Sequence, residues 1–236
     1  NDSVFFLTGT DEHGAKNVKA AEKAGKTPQE LVDENSAKFY SLKDLLNLSF
    51  DGFIRTSDRQ RHWPAAQKLW LKLAAAGDLY RKKYRGLYCV GHEAFITEKD
   101  LVDGKCADHQ AAPEIIEEEN WFFRLSKYSQ KIGKAIKSNE FKIEPETRKN
   151  EILSLIESGL EDVSFSRPRK DLSWGIPVPD DPDSTIYVWC DALANYISAV
   201  GYADENGQFA KWWPADVHLI GKDILRFHAA IWPAML

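Results

Sequence analysis

Two short stretches, Cys89-Val90-Gly91-His92 and Cys106-Ala107-Asp108-His109, limit what this chain can fold into more than any other feature. Each is a Cys-x2-His pair, and 13 residues separate them. A two-residue spacer lets both ligands of a knuckle reach one ion, and two thiolates with two imidazoles fill the tetrahedral shell of a structural zinc. With no position left for water, such a site stabilises a fold and does not catalyse. The chain holds 3 cysteines and 6 histidines in all, so chance placement of two of each in this pattern is a poor account of it. The alternative is two unrelated surface pairs. Around the knuckle, Leu87-Tyr88-Cys89-Val90 and Ile115-Ile116 read as small antiparallel strands. An acidic run, Glu117 to Glu119, follows, and then two amphipathic helices near 129–137 and 145–158.

On either side of this region strand and helix alternate. A strand at 4–8 runs into the polar turn 9–14, and a helix from about 16 to 24 is closed by Gly25. The next helix has a clear start: Thr27 as N-cap, Pro28 at the first position and Glu30 completing a capping box. Its apolar Leu31, Phe39, Leu42 and Leu45 fall roughly on one face. A strand at 53–55 and a helix ending near 76–77 follow. After Asp162 come strands at 163–165 and 186–189, a helix over 192–200, a strand at 217–220 and a final helix. Such alternation implies an α/β layered domain with parallel pairing. The expected division is 1–80 as the first part of a core, 81–145 as a small insertion and 146–236 as the second part.

Composition narrows the function classes. A net charge of -5 gives no overall basic field to hold a polyanion, so any nucleic-acid contact has to use local patches. No run approaches the ~18–20 apolar residues of a membrane helix. A small odd number of cysteines fits a reducing cytoplasm and not a disulfide scaffold. The sequence starts and stops on apolar elements, at 4–8 and 231–236, and reads as an excerpt of something longer.

Two places invite a ligand. The turn Gly9-Thr10-Asp11-Glu12-His13-Gly14 lies outside the carboxyl end of a strand, where open α/β sheets bind ligands. There Asp11 either receives a substrate cation or caps the following helix; three neighbours in a turn do not aim at one metal ion. The second place combines Tyr187 to Ala192, with Asn195-Tyr196, and the stretch Gly221 to His228. Trp189, Tyr196 and Phe227 either wall an apolar pocket, with His228 as its polar tip, or are core. Gly221-Lys222-Asp223 lacks the spacing of a phosphate loop. Cys190 reads as a small buried hydrophobe.

Taken together, the segments closely resemble the methionyl-tRNA synthetases, class I aminoacyl-tRNA synthetases built on a Rossmann-type core. Matching pieces are Phe6-Leu7-Thr8-Gly9-Thr10-Asp11-Glu12-His13-Gly14, Phe53-Ile54-Arg55-Thr56-Ser57, Gly86-Leu87-Tyr88-Cys89 and Asn120-Trp121-Phe122-Phe123-Arg124-Leu125-Ser126. Arg148-Lys149-Asn150-Glu151-Ile152, Ser166-Arg167-Pro168-Arg169, Trp174-Gly175-Ile176-Pro177-Val178-Pro179, Tyr187-Val188-Trp189-Cys190-Asp191-Ala192 and Ile220-Gly221-Lys222-Asp223-Ile224 complete the set. They stand in family order along the whole chain.

The resemblance implies roles that spacing does not. Asp11 takes the methionine ammonium; Trp189, Ala192, Tyr196, Ile224, Phe227 and His228 surround the thioether; Gly221, Asp223 and His13 serve the adenosine side. It implies methionine, ATP with Mg2+ and tRNA(Met) as substrates of the whole enzyme. One structural zinc sits on Cys89, His92, Cys106 and His109, in a connective insertion more often built with three or four cysteines. The family's two phosphate-handling signatures and its anticodon-binding domain are expected outside this stretch, so the stretch alone should be nearly inactive in adenylation. The related valyl, leucyl and isoleucyl enzymes carry far larger editing insertions, and a cysteinyl enzyme would place zinc in the amino-acid pocket. From another class, a zinc-knuckle module binding RNA could use Lys82, Lys83 and Arg85, although Glu117 to Glu119 oppose a broad basic face.

Overall fold

Strands β1 (Leu7–Thr10) and β2 (Gly52–Arg55) pair in parallel, Leu7 opposite Gly52 and Thr10 opposite Arg55. The computed structural model that shows this describes residues 3–92 and 94–236. A parallel pair needs a crossover, and α1 (Ala15–Lys23) with α2 (Pro28–Leu45) supplies it. Gly9 is required where the strands meet, because a Cβ there would stand 2.1 Å from the Ile54 carbonyl oxygen. Helix α2 opens with the expected capping box, Thr27 accepting from the Glu30 amide at 3.2 Å while Glu30 accepts from the Thr27 amide at 2.8 Å. Its buried positions are Val32 and Ser36. Phe39 and Leu45 are 58% and 76% exposed. Ser36 faces β1, its Oγ 3.3 Å from Thr10 Oγ1.

Helix α3 (His62–Ala75) leads into β3 (Leu79–Cys89), far longer than the short strand expected there. It runs antiparallel to β7 (Glu114–Phe123) from Leu79 opposite Phe123 to Tyr88 opposite Glu114. The acidic run therefore lies inside a strand, facing Lys83 and Arg85 across the ladder. Between them lie β4 (Ala94–Ile96), β5 (Leu101–Val102) and β6 (Lys105–Cys106), holding a small separate cluster of Cys89, Ile96 and Cys106. Helices α4 (Ser129–Lys137) and α5 (Glu146–Glu157) form where expected. Their Ile132, Ile136 and Ile152 join the main core, which also stacks Phe123 on Phe165 at 4.7 Å.

Strands β8 (Val163–Ser164), β9 (Ser166–Pro168), β10 (Pro177–Val178) and β11 (Asp181–Ile186) follow. β8 adds to β7, while β9 and β10 flank β11. The strand expected at 186–189 ends instead at Ile186, where pairing with β9 stops. Tyr187 caps helix α6 (Val188–Leu193), so Trp189 is helical. A short apolar run cannot separate strand from helix by periodicity; here the end of the ladder decides. Helices α7 (Asn195–Ser198) and α8 (Phe209–Trp212) follow.

The strand expected at 217–220 is absent. No described strand hydrogen-bonds to this stretch, and a strand exists only against a neighbour. Val217 is 71% and Leu219 86% exposed. The chain closes with a 3-10 turn (Lys222–Ile224), a π-helical turn (Phe227–Ile231) and α9 (Trp232–Met235). Among the described residues no helix is long and apolar enough to cross a membrane.

Candidate functional site

The four residues of the two Cys-x2-His pairs converge. One ligand atom from each of Cys89, His92, Cys106 and His109 lies within 4.8 Å of the others. Cys89 Sγ to His109 Nδ1 measures 3.7 Å, and Cys106 Sγ lies 3.6 Å from Nδ1 of both His92 and His109. Zinc bonds of ~2.3 Å to sulfur and ~2.0–2.1 Å to nitrogen span a tetrahedral edge of about 3.6 Å, so the donors fit one such ion. Gly91 makes the approach feasible, because a Cβ on it would sit 2.2 Å from His109 Cγ. The Nε2 of His92 is 2.9 Å from the Asp108 carboxylate, an outer partner that orients a ligating imidazole. Burial, then the nearby charges of Arg226 and His109, pull the His92 pKa down and favour the neutral, ligating form.

The aromatic residues of the second candidate place also meet. Trp189 on α6 stacks on Phe227 of the π-helical turn, with ring centroids 3.7 Å apart and planes 12° from parallel. Tyr196 Oη lies 2.6 Å from His228 Nε2, and His228 Nδ1 lies 2.9 Å from the Ile224 carbonyl. A carbonyl only accepts, so Nδ1 donates to it, and Nε2 accepts from the phenol. Burial pushes the Tyr196 hydroxyl up to about 12 and the His228 imidazole down, partly offset by its bond to Ile224. His218, edge-on to Tyr196 at 4.5 Å, is pulled to about 4 by burial and by His228. All three side chains are therefore uncharged near neutral pH. Ala192 and Ile224 are half-buried beside them in sequence; Gly221 and Asp223 are exposed at the start of the closing helical segment. The indole Nε1 of Trp189 donates to the His92 carbonyl at 3.5 Å, joining the aromatic cluster to the Cys/His knuckle.

At the turn after β1 the three neighbours part company. Asp11 is exposed, and Gly14 caps α1, which removes the capping alternative for Asp11. Glu12 is 2% exposed and accepts from Arg55 Nε at 2.7 Å and Nη2 at 3.0 Å, from Thr10 Oγ1 at 2.6 Å and from Ser57 Oγ. His13 is buried with Nδ1 2.6 Å from Asp191 Oδ2, and Asp191 Oδ1 lies 2.6 Å from His62 Nε2. Burial would raise the Asp191 carboxyl, but the two imidazoles outweigh it and hold its pKa below the ordinary value. Asp191 shares α6 with Trp189 and Ala192, so this bond brings the turn after β1 against α6. Burial, then the Asp191 charge, drives the Cys190 thiol well up, which keeps it inert, as its reading as a small hydrophobe requires.

Sequence reasoning missed His62, Asp191, Ser198 and the indole clamps on His13. Trp174 Nε1 donates to the Glu12 carbonyl at 2.8 Å and Trp63 Nε1 to the Thr56 carbonyl at 3.1 Å, with both rings edge-on to His13. These partners lie far away in sequence, and no spacing signals them.

Comparison with known proteins fits this arrangement. The family model for tRNA synthetases class I (M) matches residues 1–112 and 96–236. The methionine–tRNA ligase of Rhizobium meliloti is 50% identical over 99% of this chain and 46% of its own length. That of Thermotoga maritima is 48% identical over 99% of this chain and 37% of its own. The Mycobacterium tuberculosis methionyl-tRNA synthetase bound by methionyl-adenylate superposes with a TM-score of 0.93 at 45% identity, covering 99% of this chain and 46% of that one. The chain thus spans less than half the length of these relatives.

Proposed function

The chain belongs to the tRNA synthetases class I (M) family, and on that premise we propose that it forms the methionine-binding part of a methionine–tRNA ligase. The observation that carries this reading is the uncharged aromatic cluster of Trp189, Phe227, Tyr196 and His228. A thioether is polarizable and only weakly accepts hydrogen bonds, so aromatic walls suit it. The Tyr196 hydroxyl is already hydrogen-bonded to His228, and both side chains are uncharged near neutral pH. Ala192 and Ile224 complete the thioether surround, and exposed Asp11 takes the α-ammonium.

Gly221, Asp223 and His13 serve the adenosine of ATP, which enters with Mg2+. The whole enzyme joins the methionine carboxylate to the ATP α-phosphate and passes the acyl group to tRNA(Met) in the cytoplasm, a compartment that suits three free cysteines. Residues 1–80 and 146–236 form the Rossmann-type core and 81–145 the connective insertion. Within that insertion Cys89, His92, Cys106 and His109 hold one zinc, which fixes the local fold and takes no part in the chemistry.

Titrating methionine against tryptophan fluorescence tests the reading, with Trp189 as reporter. Asp11→Ala removes a charge-assisted bond worth about 1.5–3 kcal/mol, so affinity should fall roughly 10- to 150-fold. Absence of methionine binding by the folded wild type, or an unchanged affinity in Asp11→Ala, sinks it.

A further inference from the structure

The roles given above leave one buried chain of hydrogen bonds unexplained. His13 Nδ1 and His62 Nε2 each lie 2.6 Å from a different oxygen of Asp191, and His62 Nδ1 lies 2.9 Å from Ser198 Oγ. Asp191 and His62 have no exposed surface, and His13 is 3% exposed. An ionised carboxylate only accepts, so both rings donate to it. His13 thus uses an Nδ1 proton and His62 an Nε2 proton, and as neutral imidazoles the two rings are opposite tautomers. The Ser198 hydroxyl closes the far end, with Asn195 O as an alternative acceptor at 3.1 Å. At the near end, His13 Nε2 is buried and without a hydrogen-bond partner among the described residues.

A buried polar atom without a partner is costly, and each one calls for an explanation. This one is also held unusually firmly. Its ring is oriented by Asp191 and flanked edge-on by Trp63 at 5.9 Å and Trp174 at 5.3 Å, each tied to backbone by its own indole N–H. The ring stands two residues beyond Asp11, at the carboxyl end of β1. Open α/β sheets bind ligands at that end of their strands.

We propose that His13 Nε2 accepts a hydrogen bond from the bound ligand, and that Asp191 and His62 are positioning residues that fix His13 in the accepting tautomer. The ligand's identity rests on the proposed function. An aminoacyl nucleotide offers the required donor in two places, a ribose hydroxyl or the α-ammonium. Because Nε2 is covered, the ligand reaches it by displacing a neighbouring group, and Trp63 and Trp174 are the half-buried rings beside it. The arrangement follows the logic by which a buried carboxylate selects the tautomer of a working histidine.

Two measurements test the proposal. Nitrogen-15 NMR of the imidazoles in the ligand-free protein should show a pyridine-type Nε2 on His13 and a pyridine-type Nδ1 on His62. A non-hydrolysable methionyl-adenylate analogue should then shift His13 Nε2. Affinities for methionine, for that analogue and for its 2′- and 3′-deoxy forms give the second readout. His13→Phe keeps the ring volume but loses the acceptor and should weaken binding about tenfold.

Asp191→Asn places an amide donor against one ring, forces the wrong tautomer and should lose a similar factor. His62→Gln still donates to Asp191 and should stay near wild type, whereas His62→Leu should not. That rescue separates positioning from bulk. A loss for methionine and analogue alike identifies the ammonium as donor; a loss confined to the analogue and erased in a deoxy form identifies a ribose hydroxyl. A pyrrole-type Nε2 on His13, no shift on binding, or an unchanged affinity in folded His13→Phe overturns the proposal. If Asp191→Asn does not fold, the wild-type spectra and His13→Phe still decide. Should the wild type bind neither ligand, the methionine reading falls and the acceptor role with it, while the spectra still report the tautomers.

Discussion

Replacing Gly91 by alanine adds one methyl group to the knuckle, and the structure says where it lands. The new Cβ would lie 2.2 Å from His109 Cγ, 2.3 Å from Cδ2 and 2.6 Å from Nδ1. Carbon atoms settle near ~3.5 Å, so the imidazole has to retreat by about 1.3 Å. Metal–ligand distances tolerate only ~0.2 Å, and His109 therefore leaves the shell. A structural zinc contributes ~10–16 kcal/mol through four ligands, so losing one costs about 3 kcal/mol, or more than a hundredfold in affinity.

Competition against a chromophoric chelator, with metal content measured after dialysis, reads this directly. Asp108→Asn sets the scale, since it weakens only the outer contact to His92 and should cost no more than about tenfold. The cluster of Cys89, Ile96 and Cys106 is separate from the main core, so the main thermal transition should move little in either variant. A Gly91→Ala protein that keeps one zinc with affinity within threefold of wild type would refute the tetrahedral Cys2His2 reading.

Two further outcomes follow from groups away from the knuckle. Glu12→Gln removes the charge that Arg55, Thr10 and Ser57 share; Arg55 keeps Asp33 at 2.5 Å and is partly exposed, so the loss should be about 2–3 kcal/mol. At ~2–4 °C per kcal/mol for a chain this size, melting should fall roughly 5–10 °C, and a change under ~1 °C would show that the clasp is dispensable. His218 has an ordinary pKa of 6.5 and a folded value of about 4, so between those values the unfolded chain binds more protons and stability falls as pH falls. Melting curves from pH 7.5 to 4.5 should show that decline and His218→Phe should flatten it; identical slopes would exclude His218 as its source.

What could be read from the sequence was what is written in short-range chemistry. The Thr27 capping box, the end of α1 at Gly25 and the Cys/His spacing each depend on residues a few positions apart, and each took the expected form. The errors came where a partner decides. Residues 186–189 have the composition of a strand, but β9 runs out at Ile186 and the next residues turn into helix. Val217 to Ile220 reads equally well as a strand, and no described strand bonds to it. The pairing of His62 with Asp191 was not legible for a plainer reason: they are 129 residues apart.

The position of that last pair explains how a core can be interrupted and still act as one unit. The chain leaves the main core at Leu79 and returns at Phe123, and these two residues face each other across the β3–β7 ladder. The arm that bears the Cys/His cluster is thus carried on a two-stranded stem. Loop-closure cost grows only slowly with the length inserted beyond such a stem. The stem returns the chain to its starting point but does not orient the second half on the first. The buried carboxylate does: Asp191 on α6 needs both of its imidazoles, one from the β1 turn and one from α3, or it remains an unpaired buried charge. Any slippage of α6 against the first half breaks one of those bonds. The apolar core sets how strongly the halves hold together. Asp191 sets their register, and with it the distance between the Asp11 turn and the aromatic wall around Trp189.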